Sequence, residues 1–189
     1  MTELEQYIKS YFGVNQSDLE HIVTLFKPTS LKKDDYFLKT GKPCNQLSFI
    51  KSGLLRIYVN QDSKEITQWI STTGYFITDL SSLIFDTPSR WNIQALSDTE
   101  LYTISKDDYQ KIGDLISQWH QLEKLFIARC FTILEDRIFS HLSMSAEERY
   151  HFFFNHNKEL FNQVPLQYIA SMLGMTPETF SRIRKKQLS

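Results

Sequence analysis

The chain has 189 residues, of which 41% are apolar and 23% charged, and its formal net charge is -1. This length suits one large domain or two small ones. The composition excludes disordered and collagen-like chains, and the net charge excludes a protein that is strongly basic as a whole. No stretch approaches the ~20 apolar residues that span a membrane, and the first residues form no apolar signal segment. We therefore expect a cytoplasmic protein with no membrane partner.

The first region, residues 1–106, begins with a helical pattern and continues with short strands. Leu4, Ile8 and Phe12 are spaced four apart, which indicates an opening helix. After Pro28 the chain changes to short apolar runs separated by polar or glycine breaks. These runs cover residues 47–50, 55–59, 65–70, 91–96 and 100–104. Many short strands separated by turns predict a β-sandwich or barrel.

The second region, residues 107–141, contains no proline and is predicted to form one long helix. Its apolar residues are spaced four, three, four and seven apart, and Arg129 interrupts the repeat. Such spacing is typical of a helix that pairs with another helix. We interpret this region as a dimerisation helix, with packing against the chain's own β-domain as the alternative. The predicted dimer contacts are Leu115, Trp119, Leu122, Phe126 and Ile133.

The third region, residues 142–189, carries the pattern of a helix-turn-helix. Ile169 and Leu173 would face inward from the first helix, and Gly174 suits a turn that needs a positive φ. Thr176 suits the cap of the second helix. Residues 163–189 hold four cationic side chains against one acidic one, a net charge of +3 that leaves -4 for the rest of the chain. This asymmetry is typical of a DNA-binding end domain.

The outward stripe of the second helix is predicted to contact DNA. Glu178, Ser181 and Arg182 lie at i, i+3 and i+4, so they share one face, and we expect them to read bases. Arg182 can bind guanine through two hydrogen bonds, and Glu178 can accept one from cytosine. Contacts to the phosphate backbone are predicted for Thr176, Thr179, Arg184, Lys185 and Lys186.

Over nearly its whole length the chain resembles Crp/Fnr transcription regulators. Residues 41–56 and 64–76 resemble the early strands of the cyclic-nucleotide-binding domain, and residues 178–182 (Glu-Thr-Phe-Ser-Arg) resemble the recognition helix of the Fnr branch. The resemblance implies an α+β fold with an N-terminal, cyclic-nucleotide-binding-like β jelly roll, a long connecting dimer helix and a C-terminal helix-turn-helix bundle. Because little chain follows the recognition helix, we expect the wing of this family to be reduced or absent.

The resemblance weakens at the effector pocket. Family members that bind cyclic AMP carry Gly-Glu and a later Arg in their phosphate cassette. Here the first two positions read Thr78-Asp79, followed by Leu80, and Ser89 takes the place of the Arg, with Arg90 one residue later. One residue of slip in a strand turns a side chain to the opposite face. We therefore expect an unidentified effector other than cyclic AMP; a bulge that returns Arg90 to the pocket is the alternative.

These observations predict a homodimeric transcription regulator that binds double-stranded DNA at a pseudo-palindromic site, with RNA polymerase as a further partner. One alternative keeps the fold but gives it a β-domain that senses nothing. The other, from a different class, is a cupin-like metalloenzyme with a helical tail. The five histidines show no His-x-His or His-x-x-x-His pair, and Cys44 and Cys130 are the only cysteines. We therefore expect neither a metal site nor catalysis.

Overall fold

The computed structural model describes residues 1–62 and 64–188, with only the backbone at position 188. The chain divides into two compact units. The first unit combines Met1–Ile57 with Ser71–Cys130, and the second combines Tyr58–Ile70 with Phe131–Ser189. Residues 107–130, which the sequence assigns to a connecting helix, therefore belong to the first unit.

The strands that the structure describes lie between Lys27 and Ser105, mostly in the first unit. Helices α1 (Glu3–Phe12) and α2 (Gln16–Leu25) precede them, and α3 (Leu80–Phe85) lies between the sixth and seventh strands. The strands are β1 (Lys27–Leu31), β2 (Tyr36–Leu38), β3 (Gln46–Ser52), β4 (Leu55–Gln61), β5 (Lys64–Ser71), β6 (Phe76–Ile77), β7 (Asn92–Ala95) and β8 (Thr99–Ser105). They form two four-stranded sheets, in the orders β1-β8-β3-β6 and β2-β7-β4-β5. Two such sheets of four make the predicted jelly roll.

Two helices replace the predicted single helix over residues 107–141. Helix α4 (Lys106–Leu115) ends at Ile116, whose backbone is extended at φ -125° and ψ 108°, and α5 (Trp119–Ser143) begins three residues later. Extended dihedral angles end an α-helix. The sequence contains no proline or glycine at this break, so the prediction of one continuous helix is wrong here.

Trp119 and Phe126 of α5 lie in the core of the first unit, where they are 2% and 1% exposed. Their rings pack against Phe12 of α1, with centroid distances of 4.9 Å to Trp119 and 4.6 Å to Phe126. Leu122 packs against the same core. The prediction that Trp119 and Phe126 contact a second copy is therefore wrong, because both side chains are already covered by their own chain.

The second unit is helical apart from the strand residues 58–61 and 64–70. It contains α5 from Phe131 onward and four further helices: α6 (Ala146–His156), α7 (Leu160–Gln163), α8 (Leu166–Met172) and α9 (Pro177–Leu188). Tyr150, Phe161 and Phe180 form its aromatic core, with ring centroids 5.2 to 5.9 Å apart. Helix α9 is the last element that the structure describes.

Candidate DNA-reading helix and effector pocket

The turn between α8 and α9 has the geometry that a helix-turn-helix needs. Gly174 lies at φ +68°, in the left-handed region that glycine adopts at little cost. The N–H of Met175 donates to the carbonyl oxygen of Ala170 at 2.9 Å, which closes the turn. Ile169 is fully buried and Leu173 is 7% exposed, as their predicted inward positions require. The second helix therefore leaves this turn in a direction set by backbone hydrogen bonds.

Two arginines stabilise the same turn, and sequence reasoning missed both. Nη2 of Arg137 donates to the carbonyl of Met172 at 3.1 Å, and Nε of Arg149 donates to the carbonyl of Leu173 at 3.0 Å. The last carbonyls of a helix lack partners within the helix, so these bonds satisfy groups that would otherwise need water. No spacing rule signals such contacts, because α5 and α6 supply the arginines from far along the chain.

The first turn of α9 is capped as the sequence predicts. Oγ1 of Thr176 accepts a hydrogen bond from the N–H of Thr179 at 3.2 Å. The pKa of Glu178 lies below its ordinary value, because its own backbone N–H and the Thr176 hydroxyl bind its carboxylate. Glu178 is thus held as an anion at a helix N-terminus, where the helix dipole favours negative charge.

The predicted base-reading residues share the exposed face of α9. Glu178, Ser181 and Arg182 are all exposed, whereas Phe180 and Ile183 on the opposite face are 2% and 7% exposed. Burial of the inner face fixes the rotation of the helix about its axis. The three polar side chains are consequently presented together to solvent.

The residues predicted to contact phosphates fall into two groups. Lys185 is exposed, whereas Arg184 and Thr179 are half-buried. Lys186 instead binds Glu147 of α6, with Nζ 2.9 Å from Oε1. This ion pair joins α6 to α9, so Lys186 has a structural contact that the sequence did not reveal.

The five residues of the predicted effector cassette lie in the first unit, and two of them bind each other. Asp79 and Ser89 are 8% and 3% exposed, and the Ser89 hydroxyl donates to Oδ2 of Asp79 at 2.6 Å. Asp79 also caps α3, where it accepts from the N–H of Ser82 at 3.2 Å. Its carboxyl group thereby accepts two hydrogen bonds from the chain itself. Arg90 is exposed, and its guanidinium lies 4.9 Å from the Trp91 ring.

The remaining cassette residues serve the first unit's own packing. Thr78 donates its hydroxyl to the carbonyl of Gln46 at 2.9 Å. Leu80 packs, partly buried, against the hydrophobic core. The Thr78 hydroxyl is thus engaged by the chain's own backbone.

Helix α5 carries a second apolar stripe that faces solvent. We call it the apolar face of α5; its members are Ile127, Phe131, Leu134, Ile138 and Leu142. They are spaced four, three, four and four apart, and between 39% and 81% of each side chain is exposed. Of the predicted dimer contacts, Leu115 and Ile133 are 57% and 54% exposed, and Leu115 belongs to α4.

Neither a cluster of metal-ligating side chains nor a membrane-spanning helix occurs in the part of the chain that the structure describes. No group of three or more His, Cys, Asp or Glu side chains could hold a metal ion among these residues. None of the helices that the structure describes is long and apolar enough to cross a membrane.

Comparison with known proteins identifies the domain and the fold. Residues 28–114 match the family model of the cyclic nucleotide-binding domain. A Crp/Fnr-family transcriptional regulator from Eubacterium rectale is 20% identical with a TM-score of 0.71, over 97% of this chain and 88% of that one. FixK2 from Bradyrhizobium japonicum is 19% identical with a TM-score of 0.72, over 85% of this chain and 83% of that one. No curated protein sequence matches the chain.

The jelly roll has more distant relatives as well. The cAMP-bound regulatory domain of Toxoplasma gondii PKA is 18% identical with a TM-score of 0.54, and the match covers 58% of this chain but only 43% of that one. Residues 28–114 thus match the cyclic nucleotide-binding domain, and the chain has the fold of these Crp/Fnr-family structures. The resemblance predicted from the sequence is confirmed at this level.

Proposed function

We propose that this chain is a sequence-specific DNA-binding transcription regulator whose helix α9 enters the major groove. The observation that carries the proposal is the exposed face of α9, which presents Glu178, Ser181 and Arg182 together. Gly174 forms the turn before this helix, and Thr176 caps its first turn. A major groove admits one α-helix, and these three side chain types supply the donors and acceptors that distinguish base pairs. The net charge of +3 over residues 163–189 adds attraction to the phosphates.

Each side chain has a distinct role in this proposal. Arg182 donates two hydrogen bonds to guanine, Glu178 accepts from the amino group of cytosine, and Ser181 contacts a base or phosphate. Lys185 and Arg184 bind phosphates, and Thr176 and Thr179 approach the backbone at the helix N-terminus. Because Lys186 forms an ion pair with Glu147, Lys186 is the weakest candidate among the residues proposed to bind phosphates.

Selection of binding sites from random duplex DNA tests this function. The parent protein should enrich a palindrome whose half-sites lie about one helical turn, ~34 Å, apart. Arg182→Ala should lose about 1–3 kcal/mol at one base position in each half-site, because only that contact is removed. Lys33→Ala, which removes an exposed cation from the jelly roll, is the matched control and should enrich the parent's motif. Identical motifs and affinities for the Arg182→Ala and Lys33→Ala variants would overturn the assignment.

The apolar face of α5 supports a homodimer. Exposed apolar side chains repeated every three and four residues form a stripe of the kind that packs against a second helix. A two-fold axis along this face would give the dimer two α9 helices, one for each half-site. The proposed dimer contacts are thus the apolar face of α5 rather than Trp119 and Phe126, and Ile133 lies on another side of the helix. Contact with RNA polymerase remains an expectation drawn from the family resemblance alone.

The jelly roll is proposed to respond to an effector other than cyclic AMP. The mutual hydrogen bond of Asp79 and Ser89 supports this, because a buried carboxyl group stands where a cyclic phosphate needs donors. Isothermal titration with cyclic AMP should show no binding, and cyclic AMP should leave the melting temperature unchanged. Saturable binding that disappears in Arg90→Ala would instead establish the bulge alternative.

The same Asp79–Ser89 contact favours, as second candidate, a jelly roll that senses nothing. A metabolite panel with no hit in either calorimetry or melting-temperature measurements would support this second candidate.

A further inference from the structure

The second unit contains a cavity of about 400 Å³ that the DNA-reading face does not use. Its wall is mainly apolar and comes from the tip of β5, from α5 and α6 and from the end of α8. The principal wall residues are Trp69, Ile133, Phe152, Phe153, Met172 and Leu173. A volume of this order is typical of sites for small molecules, which are mostly apolar with a few placed polar groups.

Two arginines supply the charged part of this cavity. Arg137 lies 4.9 Å from the Trp69 ring and donates to the Met172 carbonyl, whereas Arg149 donates to the carbonyls of Leu173 and Met144. All of these partners are neutral. Neither guanidinium takes part in an ion pair with any residue that the structure describes, and both line the cavity.

The electrostatics of the cavity favour an anion. Burial lowers the pKa of Arg137, since its guanidinium leaves water without gaining a carboxylate partner. One acid, Asp136, also lines the cavity, and its side chain is exposed. A carboxylate inside the cavity would form charge-assisted hydrogen bonds with a guanidinium that presents several donors in one plane.

We propose that this cavity is a second ligand site, which binds a small apolar carboxylate. The hydrocarbon part lies against Trp69 and the phenylalanines, and the carboxylate binds Arg137 or Arg149. A nucleotide fits less well, because apolar walls leave the polar groups of a base and ribose without partners. The inference is independent of DNA binding, and its test uses no DNA.

Octanoate and 1-octanol provide a matched pair of probes, since they share chain length and differ in charge. Titration of the full-length protein with octanoate should change the fluorescence of Trp69 and saturate at one molecule per chain. The change should vanish in Trp69→Phe and persist in Trp91→Phe. By calorimetry 1-octanol should bind about tenfold more weakly, because it lacks the charge-assisted bond. Equal affinity for the two probes would overturn the carboxylate preference.

A cavity-filling variant tests the location of the site. Ser140 lines the cavity on α5, whereas Ser143 is exposed on the same helix outside it. Ser140→Phe should weaken octanoate binding about tenfold or more, and Ser143→Phe should bind as the parent does. Should circular dichroism show Ser140→Phe to be unfolded, Arg137→Gln and Arg149→Gln replace it, and in at least one of the two the octanoate affinity should fall to that of 1-octanol. No saturable binding to the parent protein, or unchanged binding to the folded variants, would refute the proposal.

Discussion

At the scale of single residues, two glycines of the jelly roll share a backbone conformation but differ in their surroundings. Gly53 and Gly41 lie at φ +99° and +81°. A Cβ added to Gly53 would lie 2.6 Å from the carbonyl oxygen of Asp98 and would also clash with Thr99, whereas one added to Gly41 would meet nothing within 4 Å. The left-handed conformation alone costs an L-residue about 1 kcal/mol.

We therefore expect Gly41→Ala to lower the free energy of unfolding by about 1 kcal/mol and Gly53→Ala to lower it by about 3 kcal/mol or more. The larger loss arises because the backbone of residues 98 and 99 must move. Urea unfolding followed by circular dichroism measures both values. Equal losses in the two variants would show that the close approach at Gly53 relaxes at no cost.

Single residues also show where sequence reasoning succeeds. The turn glycine Gly174 and the cap Thr176 were predictable, because a positive φ and a free N–H each demand a particular residue type. The Asp79–Ser89 bond and the contacts of Arg137 were not, since they depend on which side chains the fold brings together. The resemblance predicts Ser89 in place of a phosphate-binding Arg, but nothing in the sequence indicates that Ser89 binds Asp79.

At the scale of elements, α6 and α9 are joined by an exposed ion pair. Hydrogen bonding to Lys186 lowers the pKa of Glu147 from its ordinary value of 4.5. A carboxylate whose pKa is lowered by folding stabilises the fold at pH values above its ordinary pKa of 4.5. This stabilisation is lost as the pH falls through the lowered pKa of the folded state.

Lys186→Gln should consequently lower the melting temperature slightly at pH 7, and the loss should be smaller at pH 3, because protonation of Glu147 removes the charge that Lys186 binds. Differential scanning calorimetry at the two pH values gives the comparison. Lys185→Gln is the matched control, because Lys185 is exposed and takes part in no ion pair among the residues described. A loss for Lys186→Gln at pH 3 as large as the loss at pH 7 would contradict this account.

Helix α5 tests the proposed dimer. Leu134→Asp places a charge in the middle of the apolar face and should raise the dimer dissociation constant at least about tenfold, because a buried unpaired carboxylate is costly. Thr132→Asp introduces the same charge on the same helix, outside the apolar face, and should dissociate as the parent does. Sedimentation equilibrium measures both constants. Equal dissociation of the two variants would place the interface elsewhere.

The same helix explains why its dimer contacts were misassigned. Leu115, Trp119, Leu122 and Phe126 follow helical spacing, and that pattern does predict one apolar face. Periodicity alone does not tell which partner covers such a face, and here the chain's own core covers Trp119, Leu122 and Phe126 but not Leu115. The break after α4 has no local signal in the sequence. It depends on how Ile116 packs in the fold and not on a helix-breaking residue.

At the scale of the whole molecule, the class and order of the elements were predictable and the division into units was not. Strand-length runs, glycine breaks and the helix-turn-helix pattern are local, so they predict a β-sandwich or barrel and the C-terminal helices. The assignment of Tyr58–Ile70 to the second unit depends on contacts such as the Thr67 N–H donating to Oγ of Ser171 at 2.9 Å. Thr67 and Ser171 are so far apart along the chain that their contact does not appear in the spacing of hydrophobic residues.

The burial of Trp119 and Phe126 within their own chain has a consequence for how such a regulator would lose its partner. A protomer whose aromatic core is complete does not need a second copy in order to fold. Dilution would then release native monomers rather than denatured ones, and their return to the dimer would require only collision. The concentration of the protein in the cell would itself set the fraction competent to hold two half-sites at once.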